Sequence, residues 1–300
     1  MQRKQYSMAL GKAGLDRRAT IGGMLALPLA ACAHQLTPRD SQSLRVVSYN
    51  IWHDAGGRWP ERRGLLTTLL RDLSADVVAL QEVLEDSAKG LPNQATTLAI
   101  ALGYPEVHFV AVEPEGAPKR YGNAILTRLP VIEVARRNLL PLSDYRTAIR
   151  VRVRSAAGPV DVVGTHLAWQ PEAGPVRAQQ LADLLAWLPR DDVPLILMGD
   201  FNAPLDDRGL AVLDPQRFIS ALPAGAAPTT LSTAHGHAPR VIDHIFVERE
   251  DFAVREARVI GDTPVEGLLP SDHFGVVADL RTRFGQAPES RHNSTPSIVF

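Results

Sequence analysis

The chain reads as an α/β sandwich built on a mixed β-sheet, and three observations predict it. Strand-like and helix-like periodicities alternate through the first half of the sequence. Strand-like runs then follow one another through the middle without an intervening helix, a pattern that a purely doubly wound parallel sheet does not allow. Proline and glycine gather between the periodic segments, at 53–60, 113–120 and 223–240.

LRVVSYNI (44–51) is the first strand. In ERRGLLTTLLRDL (61–73), Leu66, Leu69, Leu70 and Leu73 recur at the spacing of one helical face. DVVALQEV (76–83) is the second strand and NQATTLAIAL (93–102) the second helix. Further strands are predicted at 107–113, 122–128, 147–155 and 159–167. A third helix, 176–188, places Leu181, Leu184, Leu185 and Leu188 on one side. PLILMGD (194–200), VIDHIFVE (241–248) and DHFGVVADL (272–280) complete the set. No internal repeat is visible in the sequence.

The N-terminus has a different character. Arg3, Lys4, Lys12, Arg17 and Arg18 precede an uncharged run, IGGMLALPLAA (21–31), that ends at Cys32. A basic region followed by a short apolar run is the pattern of an export signal and too short for a membrane span. The Arg17-Arg18 pair fits twin-arginine export, with the general secretory route open. LAAC (29–32) resembles the lipobox of bacterial lipoproteins, so Cys32 is expected to carry lipid and to tie the mature protein to a membrane. Residues 32–43 then form a polar tether, 44–282 the folded domain, and 283–300 a polar tail. The expected location is the periplasm or cell envelope, as a monomer. Cys32 is the single cysteine, so no internal disulfide can form.

Net charge is -1 for the whole chain and falls to -5 once residues 1–31 are removed. That balance disfavours tight binding of polyphosphates such as duplex DNA, which needs many cationic contacts. No HExxH, cysteine cluster, GxSxG elbow or P-loop is present.

Polar residues recur where the apolar runs stop. Asn50 ends the first strand, Glu82 sits near the end of the second, and His166 ends the run at 159–167. Asp200 and Asn202 follow LILM, Asp243 and His244 interrupt VIDHIF, and Asp272 and His273 open the last run. One such residue is usually a turn or a cap. Six segments sharing the arrangement point to one site, because strands of one sheet bring their ends together. Oxygen donors without thiolates suit Mg²⁺ or Mn²⁺ better than zinc. With histidines that can take or give a proton, the set describes metal-assisted hydrolysis of a phosphate ester.

SYNI, LQEV, GNAILTR, GTHL, GDFN, IDHIF and SDHFGVV, in that order over about 44–282, resemble the successive signatures of the endonuclease/exonuclease/phosphatase superfamily. The resemblance implies a four-layer α/β sandwich, two packed mixed sheets flanked by helices, with a divalent cation at the top. It makes Glu82 the main metal ligand, helped by Asn50 and Asp272. It gives Asp200 and Asn202 the water and the phosphate to orient, and makes His273, paired with a carboxylate, the general base. His166 would hydrogen-bond the scissile phosphate and Asp243 would orient a histidine. Asn123 and Arg146 are the expected substrate contacts, with Tyr121 divided between contact and packing and His244 structural. His53, Asp54, His235 and His237 fall in rim loops whose roles are open in the sequence. Trp52 stands where some relatives carry a second acid. The expected substrate is a lipid or small phosphoester; the alternatives are a secreted DNA endonuclease and a non-catalytic binding module of the same fold.

Overall fold

A computed structural model describes residues 42–284. The expected export leader, Cys32, most of the expected tether and the end of the expected tail lie outside them. Among the described residues no helix is long and apolar enough to cross a membrane.

Two six-stranded mixed sheets form the domain. The first sheet contains β1 (Ser43–Asn50), β2 (Val77–Asp86), β3 (Glu106–Ala111), β4 (Lys119–Thr127), β11 (Phe252–Ile260) and β12 (Gly275–Thr282), in the order β11-β12-β1-β2-β4-β3. The second contains β5 (Val131–Asn138), β6 (Thr147–Ser155), β7 (Gly158–His166), β8 (Leu195–Asp200), β9 (Phe218–Ser220) and β10 (Asp243–Glu248), in the order β5-β6-β7-β8-β10-β9. Helices α1 (Trp59–Leu73) and α2 (Gln94–Leu102) cover one sheet, and α3 (Gly174–Trp187) covers the other.

Three apolar clusters hold these four layers together. Val46, Ala79, Ile125, Val162, Ile196 and Ile245 belong to the cluster between the sheets. Leu66, Leu70 and Leu98 pack on the first sheet, and Leu181 and Leu184 on the second. The predicted helical stripes are therefore the buried ones, although Leu69 and Leu185 are only half-buried.

The two sheets repeat one plan. In each, a parallel central pair is joined across a helix, β1-α1-β2 in one and β7-α3-β8 in the other. An antiparallel hairpin flanks each pair on one side, and two antiparallel strands flank it on the other. Both crossover helices begin with Pro-x-Arg, at Pro60-Glu61-Arg62 and Pro175-Val176-Arg177. Parallel neighbours end on the same side, so β1, β2, β7 and β8 bring Asn50, Glu82, His166 and Asp200 toward one pole.

Several boundaries differ from those expected. β12 starts at Gly275, so Asp272 and His273 precede the strand, with His273 bridged to Leu231. Likewise β10 opens at Asp243 and is not interrupted there. β5, β9 and β11 have no counterpart among the predicted runs. All three are edge strands, where one side faces solvent and the apolar alternation is diluted by Glu133, Arg136, Arg255 and Glu256.

Candidate active site

Two glycines set the strands beneath the site. A Cβ on Gly199 would lie 2.1 Å from the Thr165 carbonyl oxygen, and one on Gly122 would lie 1.8 Å from that of Val110. Neither position can hold a side chain without moving a neighbouring strand. They directly precede Asp200 and Asn123.

β2 carries a bulge against β4 between Leu80 and Val83, and Glu82 sits in it with φ 57°. A glutamate rarely takes this left-handed conformation, and a bulge re-aims its side chain away from the strand's alternation. Asn202 likewise has φ 50°, just after β8. Its backbone N–H donates to Asp200 Oδ1 at 2.9 Å and its Nδ2 to the Leu167 carbonyl at 3.1 Å. The two outliers hold the residues on either side of the site in fixed directions.

Asn50 is fully buried and braces two carboxylates. Its Nδ2 donates to Glu82 Oε1 at 3.2 Å and to Asp200 Oδ2 at 3.0 Å, while its Oδ1 accepts from the Trp52 N–H. His273 is clamped from behind by Asp243, whose Oδ2 and Oδ1 lie 3.0 and 3.3 Å from Nδ1. The other face of the ring looks at Asp200, with Nε2 3.7 Å from Oδ2. That same oxygen lies 3.4 Å from His166 Nε2.

Burial and charge act in opposite directions on these groups. Burial alone would strip His273 of its proton, but Asp243 and Asp200 outweigh it and push its pKa up to about 10. Asp200 is raised to about 6, by burial first and the Asp243 charge second, with the His273 cation and its hydrogen bonds opposing. Burial also raises Glu82, while burial and the charges of Arg146 and His273 drive His166 well below the ordinary histidine value. At neutral pH the site thus holds one imidazolium, one neutral imidazole and a carboxylate poised near neutrality.

These groups face an open cleft of about 650 Å³, lined among others by Glu82, His166, Asp200, Asn202, Asp272 and His273. Arg146 and Tyr121 also line it, Arg146 facing Asp144 at 3.6 Å. Asn123, expected to contact substrate, lies beneath the floor instead. It is buried, and its Nδ2 donates to both the carbonyl and the hydroxyl of Thr147, tying β4 of one sheet to β6 of the other. His244 is sealed in the core, its Nε2 donating to the Ala203 carbonyl at 2.8 Å, and burial lowers its pKa to about 4. It packs between Phe201 and Phe246, a structural role.

The structure also sorts the rim histidines. His53 lines the cleft with Nε2 3.8 Å from Glu82, and His237 lines it with Nε2 3.0 Å from Asp272 Oδ2. His235 packs edge-on against Trp52 with ring centres 4.9 Å apart. The sequence places His237 in a rim loop but leaves its role open, because its partner is 35 residues away.

Two buried arginines were missed. Arg62 donates to the carbonyls of Ile51, Trp52, His53 and Pro270 at 2.6 to 3.1 Å. Arg177 donates to those of Ala168 and Gln170 and to Asp207. Each sits in the first turns of a crossover helix and pins the loop that follows the preceding strand. The Pro-x-Arg repeat was the available signal, visible only once the two crossovers are aligned by structure.

Asp200, Asp243 and His273 each bring one ligand atom within 4.8 Å of the others and form a candidate metal cluster among the described residues. Glu82 and Asp272, the expected ligands, line the same cleft but are not members of that cluster.

The model of the Endonuclease/Exonuclease/phosphatase family matches residues 47–273. Protein angel homolog 2 of Danio rerio is 31% identical over 167 residues, which are 48% of this chain and 28% of that protein, so the match spans well under half of that relative. The human Nocturnin catalytic domain, solved with a bound sulfate anion, superposes with a TM-score of 0.65 at 23% identity, covering 80% of this chain and 94% of that one. An endonuclease/exonuclease/phosphatase from Beutenbergia cavernae gives a TM-score of 0.65 at 26% identity, covering 80% and 72%. Danio rerio TDP2, solved with a single-strand DNA product, gives 0.66 at 19% identity, covering 80% and 99%.

Proposed function

This chain belongs to the Endonuclease/Exonuclease/phosphatase family, and from that premise we propose that its cleft hydrolyses a lipid or small phosphate ester with an activated water and Mg²⁺. The observation that carries the reading is the arrangement of Asp200 between two histidines of opposite protonation, at the floor of an open cleft.

The oxygen donors fit a hard divalent cation. Glu82 and Asp272 face the cleft and would hold it, with Asn50 fixing the Glu82 carboxylate from behind. The cation supplies charge neutralisation to the phosphate oxygens when bound. In the alternative cluster, Asp243 and His273 already use their facing atoms on each other, which favours the Glu82 set.

The proton inventory argues for a division of labour different from the one the resemblance implies. An imidazolium hydrogen-bonded to a buried carboxylate has no free lone pair for a water proton. His273 therefore donates its Nε2–H to a phosphoryl oxygen as charge develops there. Asp200, with a pKa of about 6, accepts the proton of the attacking water. The new P–O bond forms as the ester P–O bond breaks, and the departing oxygen is protonated from solvent. Neutral His166, Asn202 and Arg146 orient the phosphate.

The acidic balance of the domain supports lipid or small esters over duplex DNA. The test is turnover by purified protein with Mg²⁺ of bis-p-nitrophenyl phosphate, sphingomyelin, phosphatidylinositol phosphates and plasmid DNA, each repeated in EDTA. Ester hydrolysis lost in EDTA is expected. Activity on plasmid alone at about 150 mM salt, or full activity in EDTA, overturns the proposal.

A further inference from the structure

Among the described residues, seven large apolar side chains are exposed; Tyr145 and Trp169 line the cleft, and Leu140 and Leu142 lie in the same turn as Tyr145, just outside the cleft lining. Leu142 and Tyr145 are 59% and 73% exposed, and Trp169 is 63% exposed. That turn joins β5 to β6, and Trp169 lies just past β7. β6 pairs with β7, which sets the two segments side by side.

The edge is held rigidly although its tips face water. Gln180 of α3, fully buried, accepts from the Ala168 N–H at 2.9 Å and donates to Asp144 at 2.7 Å, joining the two segments. Asp183 accepts from the Leu140 N–H and from Arg137. Buried polar anchors of this kind fix apolar tips that a water-facing loop has no reason to carry.

Cationic groups border the apolar tips. Leu142 shares a hollow of about 500 Å³ with Arg120, Arg136 and Arg137. Arg137 is neutralised by Asp183 and Arg120 by Glu85. Arg136 is exposed and donates its Nε to the Phe109 carbonyl, so its positive charge is the uncompensated one.

Apolar tips with Trp and Tyr beside an exposed cation form the profile of a surface that seats in the headgroup layer of a bilayer. We propose that the Leu140–Tyr145 turn and Trp169 dock this enzyme on phospholipid membranes containing anionic headgroups. Bilayer-resident phosphoesters are then the substrate class, entering the cleft beside the docked edge. The inference rests on the hydrolytic reading above and goes beyond it in naming the surface.

The test uses the full chain with Cys32→Ser in every sample, so that no acyl chain contributes. Vesicles of phosphatidylcholine, with and without about 25% phosphatidylserine, are co-sedimented with the protein. Leu140→Ser with Leu142→Ser should lower the partition coefficient at least about tenfold on both vesicle types, as expected for removing two inserted leucines. Arg136→Ala should lower it about fivefold on the anionic vesicles alone. The leucine pair lies outside the cleft lining, so turnover of soluble bis-p-nitrophenyl phosphate should be unchanged while turnover of vesicle-borne phosphoester falls.

Vesicle binding equal in wild type and the leucine variant overturns the docking surface, and leaves the hydrolytic reading standing if the soluble ester is still cleaved. Loss of single-strand DNA binding or of self-association in that variant, with vesicle binding intact, overturns it in favour of nucleic acid or a second copy. No cleavage of the soluble ester by wild type is the separate failure of the hydrolytic reading.

Discussion

The carboxylate of Asp243 meets the imidazole of His273 in a buried hydrogen bond, 3.0 Å from Oδ2 to Nδ1, with Asp243 fully buried behind a ring that lines the cleft. After burial, this pair acts on both neighbours: the Asp243 charge raises Asp200 and the His273 charge lowers His166. Its position opposite Asp200 makes a positively charged ring the neighbour of the carboxylate proposed as the base.

A bell-shaped pH dependence follows. Log kcat/KM should rise until Asp200 ionises, near pH 6, and fall as His273 loses its proton, near pH 10. Asp243→Asn removes the largest influence holding that proton and should move the descending limb toward neutral pH. Stability should share the signature. His273 holds a proton in the folded state up to about pH 10, whereas the unfolded chain releases it near about 6.5. The stabilisation is thus fully present below the lower value and is lost progressively as pH rises to the upper one. Thermal melts from pH 6 to 10 should fall for wild type and stay flatter for Asp243→Asn. Parallel melts and an unmoved alkaline limb would place the proton elsewhere.

Much of this site is legible in the sequence and some of it is not, for identifiable reasons. Asn50, His166 and Asp200 end strongly apolar central strands, so local pattern alone locates them; Glu82 was read the same way, but β2 runs on to Asp86 and a bulge in its interior aims the side chain. Asp272 and His273 were found by the same reasoning, although the strand starts later than its apolar run suggests. Asn123 misled because a polar residue in a buried strand reads as a ligand, whereas here it spans the two sheets. Arg62, Arg177 and His237 act on partners far off in sequence, which no periodicity encodes. The edge strands β5 and β11 escaped because their exposed sides carry charge.

The two candidate metal sets give opposite mutational outcomes. If Glu82 and Asp272 hold the cation, Glu82→Gln should weaken Mn²⁺ binding by more than the roughly 10–100-fold that follows loss of a supporting outer partner. Asp243→Asn should then change affinity little while lowering turnover. If the ion sits among Asp200, Asp243 and His273, the order reverses. Titration calorimetry with Mn²⁺ on both variants decides it, with circular dichroism checking the fold.

Arg62 offers the last test, because it joins two loops of the site without touching the cleft. Its guanidinium is 1% exposed and lies over the rings of Trp52 and Trp59 at 5.1 and 5.6 Å. Burial lowers its pKa, opposed by the charges of Asp272, Asp54, Tyr49 and Glu82, in that order. No carboxylate contacts it directly; it is held by four carbonyls, three from the loop carrying Trp52 and His53 and one from the segment carrying Asp272. A buried cation here fixes the spacing between the two loops and offsets the repulsion between Glu82 and Asp272. Arg62→Lys keeps the charge but not the fork of donors, and should cost about 2 kcal/mol through lost charged hydrogen bonds. Arg62→Met loses both and leaves the four carbonyls without a donor, so its cost should be larger. A purely structural role predicts that both variants lose stability while the refolded enzyme binds Mn²⁺ normally. The positioning role predicts that Mn²⁺ affinity falls in both, more in Arg62→Met, with KM for bis-p-nitrophenyl phosphate rising as the loops drift apart. Normal Mn²⁺ affinity in Arg62→Met, measured below its own melting temperature, would confine Arg62 to the fold.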